Sequence, residues 1–344
     1  MSHGRSLGDW LVHAESVHEV GIDMGLDRVG QVAERLGFEP PGHRPAPRSI
    51  IVAGTNGKGS TCIAIETLLR SAGLRVGTTL SPHVHRFNER VRIGGRELDD
   101  EALCRAFEAV EAARGDVGLT YFEFSALVAL WSFRDAGVDV AVLEVGLGGR
   151  LDAFNLVSAD VAVITSIGLD HQAYLGDDLE SIGREKAGVL RPGQRAVLGA
   201  DVTASVLAAA DRLGCEATRL GREFQVDADA GSWTFRRADL RLTAPRGALA
   251  PVNCALAVEA ASAMAPIDGS ALAALAAVAF PGRLENWSLA GTGGSAGPQR
   301  LLLDVAHNPA GAEFLRSQID QRGLGRRFVG VLGMLADKDA AGVA

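Results

Sequence analysis

"IIVAGTNGKGSTC", residues 50–62, joins an apolar run to a glycine-rich turn and then to a stretch of helical character. The common phosphate-binding loop reads G-x-x-x-x-G-K-[ST], with the hydroxyl residue directly after the lysine. Here Gly59 stands between Lys58 and Ser60. A single glycine turn between a strand and a helix has an ordinary use in tight backbone geometry. This turn has more. Gly54, Gly57 and Gly59 surround Lys58, Thr55 and Asn56 fill the loop, and Ser60 opens the helix. Free N–H groups and the dipole at a helix start attract phosphate. A lysine there adds charge for the outer phosphates, and a serine hydroxyl can reach Mg²⁺.

Working outward, apolar runs alternate with amphipathic helical patterns. "SIIVAG", "RVGTTLS", "VDVAVLEVG", "ADVAVITSIG" and "RAVLGA" read as strands. "STCIAIETLLRSAG", closed by Gly73, and "YFEFSALVALWSFRDAG" read as helices, as does "DDLESIGREKAGVLRPG", whose predicted end is Pro192. Such alternation predicts an α/β fold, a parallel sheet flanked by helices. "FQVDADAGSWTFRRADLRL" reads as a hairpin, and the alanine-rich "ASVLAAADRLG" and "ALAVEAASAMA" as structural helices. A boundary is expected near "FPGRLENW", dividing 1–282 from 283–344. Beyond it, "RLENWSL" and "RLLLDVAHN" flank a glycine-rich connection, followed by a helix ("AGAEFLRSQIDQRG") and a strand ("RFVGVLGM"). One hairpin, one helix and one strand make a poor independent core.

The chain has 344 residues, 47% hydrophobic and 22% charged, with a formal charge of −8. That balance argues against general nucleic-acid or membrane-surface binding, since both partners call for a basic face. The cysteines, Cys62, Cys104, Cys215 and Cys254, form no C-x-x-C pair, so thiols in a reducing cytoplasm are expected. The N-terminus lacks a signal-type apolar core, and no apolar run approaches membrane-spanning length.

An ordered series of segments narrows the reading: "DMGLDRV" (23–29), "GTNGKGS" (54–60), "TLSPHVHRFNERVRI" (79–93), "LTYFEFSAL" (119–127), "LEVGLGGRLDAFN" (143–155), "TSIGLDHQAYLG" (165–176), "SIGREKAGVLRPG" (181–193), "FPGRLE" (280–285), "LDVAHNPAGAE" (303–313) and "GMLADKD" (333–339). Together they resemble the dihydrofolate synthase/folylpolyglutamate synthase family of the Mur ligase superfamily. The resemblance implies a Mur-ligase-type ATP-binding domain with a pterin site, followed by the start of a Rossmann-like glutamate-ligase domain that the family carries further. It implies ATP-dependent joining of L-glutamate to dihydropteroate, and of further glutamates to folates, through an acyl phosphate. Another Mur-type amide ligase, acting on a peptidoglycan precursor, and a non-catalytic ATP-binding fragment are the rival readings.

By the same resemblance, Thr55 to Ser60, Asn253, Arg283, Asp304 and His307 serve ATP, and Ser60 and Glu144 serve its Mg²⁺. Ser81, Glu144 and His171 hold a second Mg²⁺. Lys186 is expected to be carbamylated, and the expected catalytic set is Lys186, His171 and Glu144. Asp23, Met24, Gly25 and Leu26, with Thr120, Leu151, Asp152 and Ala153, are expected to take the pterin. Phe154 departs from the family's usual threonine, and Asp170 competes with His171 for a polar role. A basic cluster of His83, Arg86, Arg90 and Arg92 is either an attractor for anionic folate tails or a set of solvated loop charges. The expected state is a cytoplasmic monomer whose partners are small molecules only.

Overall fold

The structure, a computed structural model, describes residues 4–18, 20–289, 299–324, 329–335 and 338–343. Its centre is an eight-stranded sheet in the order β4-β3-β2-β5-β1-β6-β7-β8. The strands are β1 Arg48–Ala53, β2 Val76–Thr79, β3 Val91–Ile93, β4 Arg96–Glu97, β5 Val140–Glu144, β6 Val161–Ile164, β7 Arg195–Leu198 and β8 Glu216–Arg219. From β2 to β8 every neighbouring pair is parallel, while β3 and β4 add an antiparallel edge.

The apolar runs are continuous because both faces of the sheet are covered. Side chains of a strand alternate between faces. Ile51 and Ala53 of β1, Ala141 and Leu143 of β5, and Ala162 and Ile164 of β6 enter one core. The helices Leu7–Ser16, Asp27–Arg35, Asp100–Arg114 and Tyr121–Asp135 supply its other half. Ile50, Val52, Val140, Val142, Val161 and Val163 enter the opposite core. There the helices Lys58–Ser71, Pro251–Ala261 and Gly269–Ala274 close over them. Pro251–Ala261 is buried along almost its whole length, so its alanines are what allow close packing against Lys58–Ser71.

Three local readings differ from the sequence expectation. The helix Leu179–Ala187 stops five residues before Pro192. Its terminal carbonyls are taken by tertiary partners: Glu185 O accepts the Arg150 amide, and Gly188 O accepts the Asn155 and Arg191 side chains. The expected hairpin is a three-stranded antiparallel sheet, β9 Phe224–Ala228, β10 Ser232–Arg237 and β11 Leu240–Pro245. "RADLRL" turns back a second time through Ala238 and Asp239, where Arg237 pairs with Asp239. The β12 Glu285–Leu289 and β13 Gln299–Leu303 strands pair as expected, and the helix Pro309–Gln321 follows. The described part of the expected last strand, 329–334, pairs with nothing among the described residues, and Val329 and Val331 stand in solvent. A strand needs a ladder partner for its N–H and C=O groups, and none lies beside it there. Part of that expected strand, and most of "AGTGGSAGPQ", lie outside the described residues.

Among the described residues no helix is long and apolar enough to cross a membrane. All four cysteines are free thiols.

Candidate active site

Parallel strands deliver their carboxyl ends to one edge, where ligands of such sheets gather. Residue Val52 of β1 lies level with Glu144 of β5 and with Val163 of β6. The turns after β1, β2, β5 and β6 therefore meet at one level, bringing together Gly54 to Ser60, Ser81, Glu144 and His171.

The loop after β1 is held from behind. Thr55 N–H donates to Ser166 O (2.8 Å), and Asn56 N–H donates to Ser166 Oγ (3.0 Å). The Thr165 hydroxyl donates to Asn56 O (2.6 Å). Gly57 caps the helix Lys58–Ser71 in the left-handed region, at φ 85°. A side chain there would also collide with Asn253, whose Oδ1 would lie 2.5 Å from the added Cβ. Glycine is required twice over at this position. The Lys58 ammonium folds back on Gly54 O (3.1 Å) and Thr55 O (3.2 Å).

A cavity of about 540 Å³ opens over this loop. The predicted loop residues Thr55 to Ser60 line it, together with Ser81, Glu144, His171, Lys186, Asn253, Arg283, Asp304 and His307. Segments far apart in sequence thus share one wall. The predicted pterin residues do not line it. Asp23 pairs with Arg28 (2.6 Å), and Leu26 precedes the helix Asp27–Arg35. Met24 reaches toward Gly148, which lines the cavity, and Gly25 is half-buried. Thr120 caps the helix Tyr121–Asp135 through a reciprocal bond with Glu123. Leu151 is partly exposed and Ala153 is buried. Asp152 is buried and accepts the amides of Gly146 (2.8 Å), Leu147 (3.0 Å) and Phe154 (3.0 Å), which shapes the turn after β5. The Phe154 ring is buried edge-on against Phe122, at 5.7 Å between centroids.

Glu144 is buried at the heart of the cavity. Its Oε2 accepts the Ser81 amide (2.9 Å), and Thr79 Oγ1 fixes the Glu144 backbone N–H (2.8 Å). Burial pushes its carboxyl up to about 6, against the pull of Lys58, the Ser81 amide, Arg283 and Arg90. Lys186, in the last turn of its helix, is buried with its Nζ on Gly54 O (3.0 Å). Burial, with the nearby Lys58, brings its ammonium down to about 7 against the pull of Asp170 and Asp152. Burial also lowers the His171 imidazole, with Asp170 opposing. Arg283 stacks on Phe280, 5.3 Å from the ring centre, and burial weakens its cation while Glu144 and Asp304 sustain it.

The Ser81 hydroxyl is buried and makes no hydrogen bond. A buried orphan hydroxyl has a cost unless something meets it. Ser81 Oγ, the Glu144 carboxylate, the Ser60 hydroxyl and His171 form a mostly oxygen donor set, which fits a divalent cation that keeps waters and takes phosphate ligands. Among the described residues no three His, Cys, Asp or Glu side chains form a closed cage. A cation of the Mg²⁺ kind needs no such cage, because substrate phosphates complete its shell.

Three residues that matter here were not in the sequence-based site. Asp170 gathers four donors, Asn308 faces Asn56, and Lys338 reaches Asp170 (2.7 Å). "LDH" carried the signal for Asp170. Asn308 reads in sequence as a helix cap, and it is one, accepting Gly311 N–H (2.8 Å). The basic cluster dissolves: Arg86 pairs with Glu97, Arg92 pairs with the buried Glu66, and Arg90 turns inward onto His83 and Tyr121. His83 accepts from Arg90 on Nδ1 (2.8 Å), and burial lowers its imidazole.

The loop and its sheet define a class. Residues 52–243 match the model of the Mur ligase middle domain. Within that class, the Escherichia coli dihydrofolate synthase/folylpolyglutamate synthase is 44% identical over 340 residues, 98% of this chain and 78% of that protein. A structure of E. coli FolC in complex with DHPP and ADP superposes with a TM-score of 0.90 at 42% identity, covering 98% of this chain and 80% of that one. A bifunctional folylpolyglutamate synthase/dihydrofolate synthase with Mn, AMPPNP and L-glutamate bound gives 0.82 at 42% identity, covering 93% and 76%. The chain belongs to the dihydrofolate synthase/folylpolyglutamate synthase family.

Proposed function

We propose that this chain joins L-glutamate to dihydropteroate at the expense of ATP, and adds further glutamates to folates. The observation that carries the reading is the single cavity over the 54–60 loop, walled by Glu144, Ser81, His171, Lys186 and Arg283. The relatives' complexes with ADP, with AMPPNP, with DHPP and with L-glutamate support it.

A carboxylate resists attack by an amine until its oxygen is made a leaving group. The carboxylate oxygen attacks the γ-phosphorus of ATP, the bond to the bridging oxygen of ADP breaks, and an acyl phosphate forms. The glutamate amine then adds to the acyl carbon, and phosphate departs with the C–O bond electrons. The chain's part is placement and charge. The loop amides from Asn56 to Ser60 receive phosphate, and Lys58, released from its own carbonyls, takes the outer oxygens. Arg283 and Asn253 fix the nucleotide from the side of the second segment. Two Mg²⁺ ions, one held by Ser60 and Glu144 and one by Ser81, Glu144 and His171, would offset the repulsion between phosphate and carboxylate.

Near pH 7 roughly half of Lys186 exists as a free amine, in keeping with its depressed pKa of about 7. A free amine adds to CO₂, forming an N–C bond and losing a proton, which leaves a carbamate anion. Such a group on Lys186 would turn a cation beside the loop into a ligand-orienting anion. The pterin lies against 23–26, Thr120 and 151–153, with Phe154 setting the depth of the wall behind them. Residues 1–282 form the ATP-binding unit, and 283–344 contribute the glutamate-ligase side. The protein is a cytoplasmic monomer with small-molecule partners and no nucleic-acid role.

Phosphate release measured with dihydropteroate, L-glutamate and Mg-ATP tests the reading. Release that requires all three is the expected result. Absence of turnover with dihydropteroate and with folates, in protein shown to bind nucleotide, would overturn it.

A further inference from the structure

Four donors from three stretches of chain converge on the Asp170 carboxylate. The His171 amide (2.9 Å) and Lys338 Nζ (2.7 Å) meet Oδ1; His307 Nε2 (3.2 Å) and Asn308 Nδ2 (3.2 Å) meet Oδ2. The side chain is 8% exposed, so these charges face one another in a weakly screening setting. His307 Nδ1 lies 2.9 Å from Val305 O, so both ring nitrogens stand against protein acceptors. Asn308 also meets the Asn56 side chain through both amide atoms, at 3.0 and 3.2 Å. Asn56 in turn is fixed to Ser166 and Thr165. On the other side, Asp304 accepts the Leu284 amide (3.0 Å), and Val305 N–H donates to Gly282 O (3.0 Å). The strip 282–284 is thus tied to 304–305, and 307–308 ties both to Asp170.

We infer that Asp170 is a positioning residue, a latch that docks the segment carrying Arg283, Asp304 and His307 onto the phosphate loop. It touches neither phosphate nor the reacting carbon. Its work is to set how far Arg283 stands from Lys58 and Glu144. A carboxylate is required because all four neighbours are donors. An asparagine would turn an NH₂ toward one of them and would carry no charge for Lys338. Removing one member of a buried charged set exposes the cost of the others.

The test compares Asp170→Asn, Lys338→Met and the double variant with the native protein. Hydrogen exchange is followed without substrates, and steady-state kinetics with Mg-ATP are followed in parallel. The kinetic readout rests on the ligase reading; the exchange readout does not. Asp170→Asn should speed exchange in peptides spanning 304–311 by about tenfold or more while β1 and β5 stay unchanged. The KM for ATP should rise about tenfold together with a fall in kcat, as hinge lesions do. The double variant should be no worse than the worse single, because the two act as one unit. Should Asp170→Asn fail to fold, Lys338→Met, which keeps the carboxylate, carries the same comparison. Unchanged exchange at 304–311 in both variants overturns the latch, as does a fall in kcat at constant KM. Raised exchange in the variants, beside a native protein that binds nucleotide without turnover, upholds the latch and sinks the ligase reading instead.

Discussion

Lys186 and Glu144 show how a single buried charge ties stability to chemistry. The native ammonium of Lys186 sits at about 7 against an ordinary 10.5. Between those values the unfolded chain binds more protons, so stability rises with pH through that window. Lys186→Met should remove this slope in CO₂-free buffer and raise the melting temperature most at pH 7 and below, while turnover falls by about 100-fold or more. Melting curves from pH 6 to 10, beside initial rates with and without added bicarbonate, check both halves. A native enzyme indifferent to bicarbonate after CO₂ stripping would contradict the carbamate. Glu144 has the opposite sign. Its folded pKa of about 6 exceeds the ordinary 4.5, so the native state holds the extra proton between them and stability falls as pH rises through that interval. Glu144→Gln should therefore melt no lower than the native protein at pH 7.5, with a smaller advantage at pH 5, yet lose about 100-fold in turnover. A large destabilisation at pH 7.5 would mean that the carboxylate is structural.

The strand-turn-helix at the phosphate loop is the element on which the site depends. Gly57→Ala combines an unfavourable positive φ with a collision against Asn253. Strain of about 1–3 kcal/mol is the usual scale for such backbone positions. Titration calorimetry with a non-hydrolysable ATP analogue should show affinity weakened at least about tenfold, with little change in the sheet's far-ultraviolet signal. Unaltered affinity would remove the loop from nucleotide binding. At the element scale most of the sheet was legible, because runs such as "SIIVAG" and "VDVAVLEVG" are apolar on both faces. The end of Leu179–Ala187 was not, since Arg150 and Asn155 stop it from another part of the chain. Phe154→Ala leaves a hole beside Phe122, and a loss of about 3–5 kcal/mol in denaturant unfolding is expected for a buried phenylalanine. A loss under about 1 kcal/mol would mean that the ring is not packed as described.

For the whole molecule, residues 280–284 and 304–311 complete the wall of the cavity over the sheet edge. Chelation of divalent metal should abolish phosphate release and leave the melting temperature nearly unchanged, because Ser81 and Glu144 are placed by the ends of β2 and β5, and His171 by the turn before the helix Gln172–Leu175, without an ion. Added Mg²⁺ or Mn²⁺ should restore activity. A chelator-induced collapse of the fold would instead mark the metal as structural.

The sequence by itself determined the kind of loop, the parallel order of strand and helix, and the presence of Ser60, Glu144, His171, Lys186 and Arg283, because each rests on local pattern or on a short motif. Only the tertiary structure decided that Ser81's hydroxyl is left without a partner, that Glu97 and Glu66 take up Arg86 and Arg92 of the basic cluster, and that Asp170 joins His307, Asn308 and Lys338 across more than 130 residues. Burial and long-range hydrogen bonding are properties of chain segments meeting in space. No short window of residues encodes them.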